Sequence, residues 1–384
     1  MEVDRTYGPE RTGPRSPPRQ ATVCLVGLIA GGHSGVPRYA ATLSRALDRI
    51  ADSYPDLSLS LLTTAAGADQ VDARSIGVEV VAGRGRRVNA GPGRLLLEHV
   101  SLRGRRPDLY HFFDVSGPVL APRRPFVATV HDTAVMHGFG RLRNAYKRRL
   151  YPWALARARR VVAVSQFAKD EAVRYFDVDP AKITVVHSGP GLGADDRNPL
   201  PGSPYGGAPF LVYVGNLGPN KNLPFLVRSF DRARVPVRLI LAGRARGGLT
   251  ETIDAIAAAE ARDQIEILGD VSDADLDRLY RSAIAVVLPS TYEGFGFTSL
   301  EAMSRGCPVL ASDIAALREV SGSGAELLRL GDEDAWAAAI RRVVSDEGFR
   351  AELRARGQAT VKRYSWERTA RGVLDVFREA VGLR

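Results

Sequence analysis

Short apolar runs of strand length recur through this chain, and between most of them the apolar positions shift to helical spacing. ATVCLVGL opens the series at 21–28, followed by LSLSLLT at 57–63, DLYHFF at 108–113, PFVATV at 125–130, RVVAVS at 160–165 and KITVVH at 182–187. Strands that are apolar at nearly every position are covered on both faces, which restricts such a chain to parallel sheets flanked by helices. The series is interrupted by SGPGLGADDRNPLPGSPYGGAP at 188–209, half of whose residues are Gly or Pro. It then restarts with FLVYVG, VRLILAG, QIEILG, AIAVVLPS, CPVLAS and AELLRL, with helices expected from Leu223, Thr250, Asp273 and after Phe297.

One break in a repeated α/β pattern predicts two doubly wound, Rossmann-like parallel-sheet domains facing each other across a cleft, and the length of 384 residues suits two cores. Residues 1–20 carry four prolines and no apolar periodicity and read as a disordered arm. The first domain is expected over 21–198, the second over 199–365, and a closing helix over 366–384 that packs back toward the first.

Composition excludes several classes. No run approaches the ~18 apolar residues of a spanning helix, and the first twenty residues lack an apolar export segment. The expectation is a cytoplasmic protein, with the inner membrane face as an alternative. Cys24 and Cys307 lie in apolar strand runs and read as buried small hydrophobes. Six scattered histidines and two distant cysteines offer no paired ligand spacing, so no metal is expected. GGHSGVP after the first strand lacks the G-x-G-x-x-G spacing of a redox dinucleotide site.

The net charge of +10 is carried by residues 1–200, with 29 Lys and Arg against 19 Asp and Glu; the remainder balances at 24 each. Its densest clusters are RGRR at 84–87, RGRR at 103–106 and KRR at 147–149. Such a surface attracts anions, whether a substrate, an acidic membrane or nucleic acid. An Arg-rich composition, 48 of the 53 basic residues, accounts for it equally well.

The sharpest constellation is PSTYEGFGFTSLEAMSRGCPVLAS at 289–312. A strand ends near Leu288, a glycine-bearing turn presents Glu293, and a helix begins near Phe297 and carries Glu301. Free N–H groups at that helix start, with the positive end of its dipole, suit a diphosphate, and Gly294 and Gly296 permit close approach to the backbone. Glu301, further along the helix, can accept two hydrogen bonds from a vicinal diol such as a ribose.

This segment resembles the retaining, nucleotide-sugar-dependent glycosyltransferases of family four, which have the two-domain GT-B fold. Their mark is a Glu, seven intervening residues and a second Glu, set as EGFG, LEAM and a G-x-P-V strand; here it stands as EGFGFTSLEAMSRGCPV. The likeness continues through AALREV and YSWERTARGVLDVFREA and covers nearly all of 21–384, most specifically 205–330.

The resemblance implies that Glu293 contacts the transferred sugar, that Glu301 binds the ribose, and that the backbone of Gly294, Phe295, Gly296, Phe297 and Thr298 holds the diphosphate. Tyr292, Phe295 and Phe297 have side chains expected to pack rather than to form sugar platforms. Lys221, in YVGNLGPNKNLPFLVRSF at 213–230, is the expected phosphate cation. Where relatives often carry an Arg after the strand, this chain has Asn216, and Arg244 is a candidate replacement. Gly31, Gly32 and Gly35 belong to a loop near donor phosphate and acceptor, with His33 beside them. His131, at the end of VATV, matches a histidine by the donor sugar; Asp132 and His111 are weaker candidates. Ser165 in SQF reads as a helix N-cap.

The expected activity is retaining transfer of a hexose-type sugar such as mannose, rhamnose or glucose from a nucleoside diphosphate to a glycan, lipid-linked or small-molecule acceptor, without metal or further cofactor. Retention is compatible with same-face attack or with a covalent intermediate on Glu293. Nucleotide-sugar epimerisation or hydrolysis, a basic nucleic-acid-binding protein and a non-catalytic scaffold are the alternatives; no nucleic-acid reader motif is present.

Overall fold

A computed structural model describes residues 20–28, 35–81, 92–117, 124–137, 145–191, 207–245 and 247–383. The first half builds β1 (Ala21–Gly27), α1 (Gly35–Ile50), β2 (Leu57–Thr63), α2 (Ala65–Val71), β3 (Gly77–Val80), α3 (Pro92–Leu102), β4 (Leu109–Phe112), β5 (Phe126–Val130), α4 (Ala145–Arg157), β6 (Arg160–Ala163), α5 (Gln166–Phe176) and β7 (Ile183–Val185). These strands form a seven-stranded sheet in the order β3-β2-β1-β4-β5-β6-β7, with every pairing parallel.

The second half builds β8 (Phe210–Val214), α6 (Leu223–Ala233), β9 (Arg238–Ala242), α7 (Leu249–Ala258), β10 (Ile265–Gly269), α8 (Asp273–Ser282), β11 (Ala285–Leu288), α9 (Phe297–Ser304), β12 (Val309–Ser312), α10 (Ala315–Val320), β13 (Glu326–Leu328), α11 (Glu333–Ser345), α12 (Glu347–Val361) and α13 (Trp366–Val381). Its six-stranded parallel sheet runs β10-β9-β8-β11-β12-β13. Two Rossmann-like α/β units are thus present, each with central strands buried at every position, such as FVATV in β5 and FLVYV in β8.

Local chemistry sets many of the boundaries. Ser165, Ser272, Asp332, Asp346 and Ser365 cap α5, α8, α11, α12 and α13, each side chain accepting a first-turn backbone N–H. The strand that the apolar pattern did not announce is β3, exposed at all four positions on the sheet edge, where burial imposes no apolar run.

The last helix returns to the first unit: α13 packs on α1 and against β4, β5 and β6. Trp366, at its start, donates to the Pro190 carbonyl at 2.5 Å, and Thr369 donates to that of His187 at 2.8 Å. The segment that follows the second sheet is therefore tied back to the end of the first unit.

Candidate active site in the interdomain cleft

The segments after β5, β6 and β7 meet the segments after β11 and β12, so the carboxyl ends of the two sheets face each other, where ligands of doubly wound sheets bind. Thr133 N donates to Tyr292 Oη at 2.8 Å, and Ser165 Oγ donates to the Gly294 carbonyl at 2.7 Å while capping α5. Thr133 Oγ1 also reaches Glu171 Oε2 at 2.8 Å, and His137 Nε2 lies 2.5 Å from the same oxygen. Glu319, from α10, accepts the N–H groups of Gln166 and Phe167 at 2.6 and 2.9 Å and pairs with His187 at 2.7 Å. Burial opposes ionisation of Glu319, but His187 and the two N–H groups outweigh it and its pKa falls below the ordinary value.

On the second unit, Pro219–Lys221 forms a tight turn that ends at Asn222, whose φ of 53° is left-handed and starts α6. The Asn220 carbonyl accepts from Thr291 N at 2.9 Å, and Asn220 Nδ2 donates to the Tyr292 carbonyl at 3.2 Å. This zips the turn to the segment after β11. The result is a contact between two sequence-predicted residues: Lys221 Nζ stands 2.5 Å from Glu293 Oε1, with side chains 12% and 21% exposed.

Gly296 caps α9 with a φ of 100°, a conformation side-chain-bearing residues rarely adopt. Gly294 is required for a different reason: a Cβ there would stand 1.9 Å from the His131 carbonyl oxygen. The glycine-bearing turn of one unit thus lies directly on the strand end that carries His131 in the other. His131 Nε2 lies 2.8 Å from the Phe113 carbonyl, which can only accept, so Nε2 carries the proton and Nδ1 is the free acceptor. Burial, the dominant influence, lowers the His131 pKa and keeps the ring neutral at pH 7.

Glu301 sits in the second turn of α9, 2% exposed. Its Oε2 accepts from Tyr280 Oη at 2.8 Å, and its Oε1 pairs with Arg38 Nη1 at 3.2 Å. Tyr280 is pushed well above its ordinary pKa, first by burial and then by the Glu301 charge, so it remains a donor.

The other expected positions are spread around this centre. Asn216 follows β8 and its carbonyl accepts from Tyr213 Oη at 2.7 Å. Thr298 Oγ1 reaches the Val214 carbonyl at 3.4 Å, joining α9 to β8. Phe295 and Phe297 pack against each other, and Phe297 stacks on Trp366 at 6.5 Å. Arg244 is 59% exposed and pairs with Asp270. Gly35 opens α1, while Gly31, Gly32 and His33 lie outside the described residues. Arg38, Tyr280, Glu319 and Thr133 were not singled out from sequence, because their partners lie on distant segments; Arg38 and Glu301 are 263 positions apart.

Comparison with known proteins follows this division. The profile described as Glycosyltransferase Family 4 matches residues 33–190, and that described as Glycosyl transferases group 1 matches residues 199–360. The O-antigen chain mannosyltransferase B of Escherichia coli is 30% identical over 273 residues, covering 66% of this chain and 70% of that protein. A D-inositol 3-phosphate glycosyltransferase of Salinispora tropica is 30% identical over 333 residues, covering 75% and 67%. Among solved structures, Anabaena HepE in complex with UDP and glucose superposes with a TM-score of 0.70 at 20% identity, covering 94% of this chain and 100% of that one.

Proposed function

Because this chain belongs to glycosyltransferase family 4, with the GT-B fold, we propose that it moves a hexose-type sugar from a nucleoside diphosphate to a glycan, lipid-linked or small-molecule acceptor with retention of anomeric configuration. The observation that carries this reading is the Lys221–Glu293 contact of 2.5 Å at the mouth of α9, with Glu301 eight residues further along. An ammonium, a carboxylate and a helix start come together there, in the turn that lies on the His131 carbonyl.

In this reading the donor diphosphate takes Lys221 as its counter-charge and lies on the backbone amides at the start of α9. Glu293, released from Lys221, accepts hydrogen bonds from hydroxyls of the sugar. Glu301 takes the ribose diol, and Tyr280 holds its carboxylate in place. As the bond from the anomeric carbon to the β-phosphate oxygen breaks, charge grows on that oxygen beside Lys221. The acceptor oxygen bonds to the same face, and its proton passes to the departing phosphate oxygen. Neutral His131, with Nδ1 as acceptor, orients a sugar hydroxyl from the opposite sheet. Bound metal has no part in this proposal, Lys221 and α9 supplying the stabilisation. The mannosyltransferase likeness favours a mannose-type donor, and the basic first unit favours an anionic or lipid-linked acceptor at a membrane surface. No helix of the described residues is long and apolar enough to cross a membrane.

The test is a thermal-shift panel of nucleoside diphosphates and nucleotide sugars without added metal, followed by turnover with the donor that shifts the protein. Glu293→Ala should lower kcat by roughly 10²-fold or more, whereas Lys221→Ala and Glu301→Ala should act mainly on donor affinity. Full activity of Glu293→Ala would reject the assignment. Consumption of donor with no acceptor product would move the reading to hydrolysis or epimerisation.

A further inference from the structure

Arg38 belongs to the first unit, in the first turn of α1, yet its guanidinium is engaged by the second. Nη1 stands 3.2 Å from Glu301 Oε1 and Nη2 stands 2.6 Å from Asp273 Oδ1. Gly191, where the chain leaves the first unit, closes the same spot: a Cβ there would lie 2.2 Å from Glu301 Oε1 and 3.4 Å from Arg38 Cδ. With Tyr280 on Oε2, the Glu301 carboxylate has a partner on each oxygen and 2% exposure, which leaves no approach for a diol.

We propose that Arg38 guards the nucleotide site, occupying the ribose carboxylate Glu301 in the nucleotide-free protein and withdrawing when a nucleoside diphosphate binds. The inference rests on the reading of Glu301 as the ribose ligand. A buried carboxylate needs a partner, and Arg38 supplies one as long as the diol is absent. When the ribose arrives, its two hydroxyls take over as donors, and Asp273, 59% exposed at the start of α8, retains the displaced guanidinium. Neither charge is then left bare, so the exchange costs little. It still reduces apparent affinity by the fraction of molecules in which Glu301 is open. The guard also ties nucleotide entry to movement of α1, and hence of the first unit, relative to α9.

The experiment is titration calorimetry of UDP, GDP, ADP and dTDP against the full chain and its variants. For the nucleotide that binds the wild type, Arg38→Ala should lower Kd by about three- to tenfold, and Arg38→Lys, able to reach one carboxylate at a time, should fall between. In a Glu301→Gln background the Arg38→Ala change should give little or no gain, because a neutral amide holds the guanidinium far more weakly than a carboxylate does. Unchanged or weaker binding by folded Arg38→Ala overturns the guard, as does a gain that persists undiminished in the Glu301→Gln background. Should Arg38→Ala not fold, unchanged or weaker binding by Arg38→Lys overturns it equally. A folded wild type that binds none of the four nucleotides overturns the ribose reading itself and the guard with it.

Discussion

His111 is buried and His131 half-buried, and desolvation lowers the proton affinity of both rings in the folded chain. His111 Nε2 lies 3.1 Å from Thr129 Oγ1, and its ring packs between Phe113 and Phe377. Burial, aided by neighbouring His131, pushes its pKa down to about 3; burial lowers His131 as well. Below an ordinary histidine value near 6.5 the unfolded chain takes up protons that the folded chain refuses, so stability is lost as pH falls through that value. For His111 alone the loss between pH 6.5 and 4.5 is about 2 kcal/mol. Urea denaturation at those two pH values should show it, and His111→Phe, which keeps an aromatic ring between Phe113 and Phe377, should remove about that much of the difference. Equal pH dependence in both proteins would refute the argument. The window lies above that of Glu319, whose depressed pKa makes its contribution present above the ordinary carboxylate range and lost only at lower pH.

Helix α5 shows how one element serves two purposes. Ser165 satisfies the Ala168 amide and also reaches across to the Gly294 carbonyl, while Glu319 from α10 takes the two preceding amides, of Gln166 and Phe167, at the positive end of the same helix. Ser165→Ala should therefore cost about 1 kcal/mol through the lost cap and loosen the turn that carries Glu293. The check is a lowered denaturation midpoint together with a raised donor KM. A stability loss with unchanged kinetics would confine Ser165 to capping. The start of α9 is more sensitive still. At Gly296, whose φ is 100°, an added Cβ would lie 2.6 Å from Leu317 Cδ2, so Gly296→Ala should cost about 1–3 kcal/mol from strain and overpacking.

Among the polar groups that join the two units across the cleft are Glu319 and the Arg38 bridge. Removing the Glu319 carboxylate leaves the amides of Gln166 and Phe167 to water and should shift the molecule toward open forms. For 384 residues a compact radius of gyration is ~21 Å, and Glu319→Ala should raise it in solution scattering, with nucleotide reversing part of the change. An unaltered radius would show that the hydrophobic packing of α13 on α1 suffices to hold the units together.

Much of this organisation was legible from residue order, because side-chain direction repeats every two residues in a strand and every 3.6 in a helix. Burial of an element therefore prints a local period, from which the two-sheet plan could be read, while the Ser165 cap and the glycine-bearing turn of EGFGFTSLEAM could be read from the chemistry of their own residues. The edge strand β3 escaped because nothing buries it. Pairings across the cleft carry no local period at all. Arg38 with Glu301, Glu319 with α5, and Gly294 against His131 join segments more than a hundred residues apart. Whether they meet is decided by how two finished sheets face each other, a rigid-body relation that no window of sequence contains. The same reason explains why Glu301 could be read as a diol ligand from its helix position, while its enclosure by Arg38, Tyr280 and Gly191 emerged only from the folded chain.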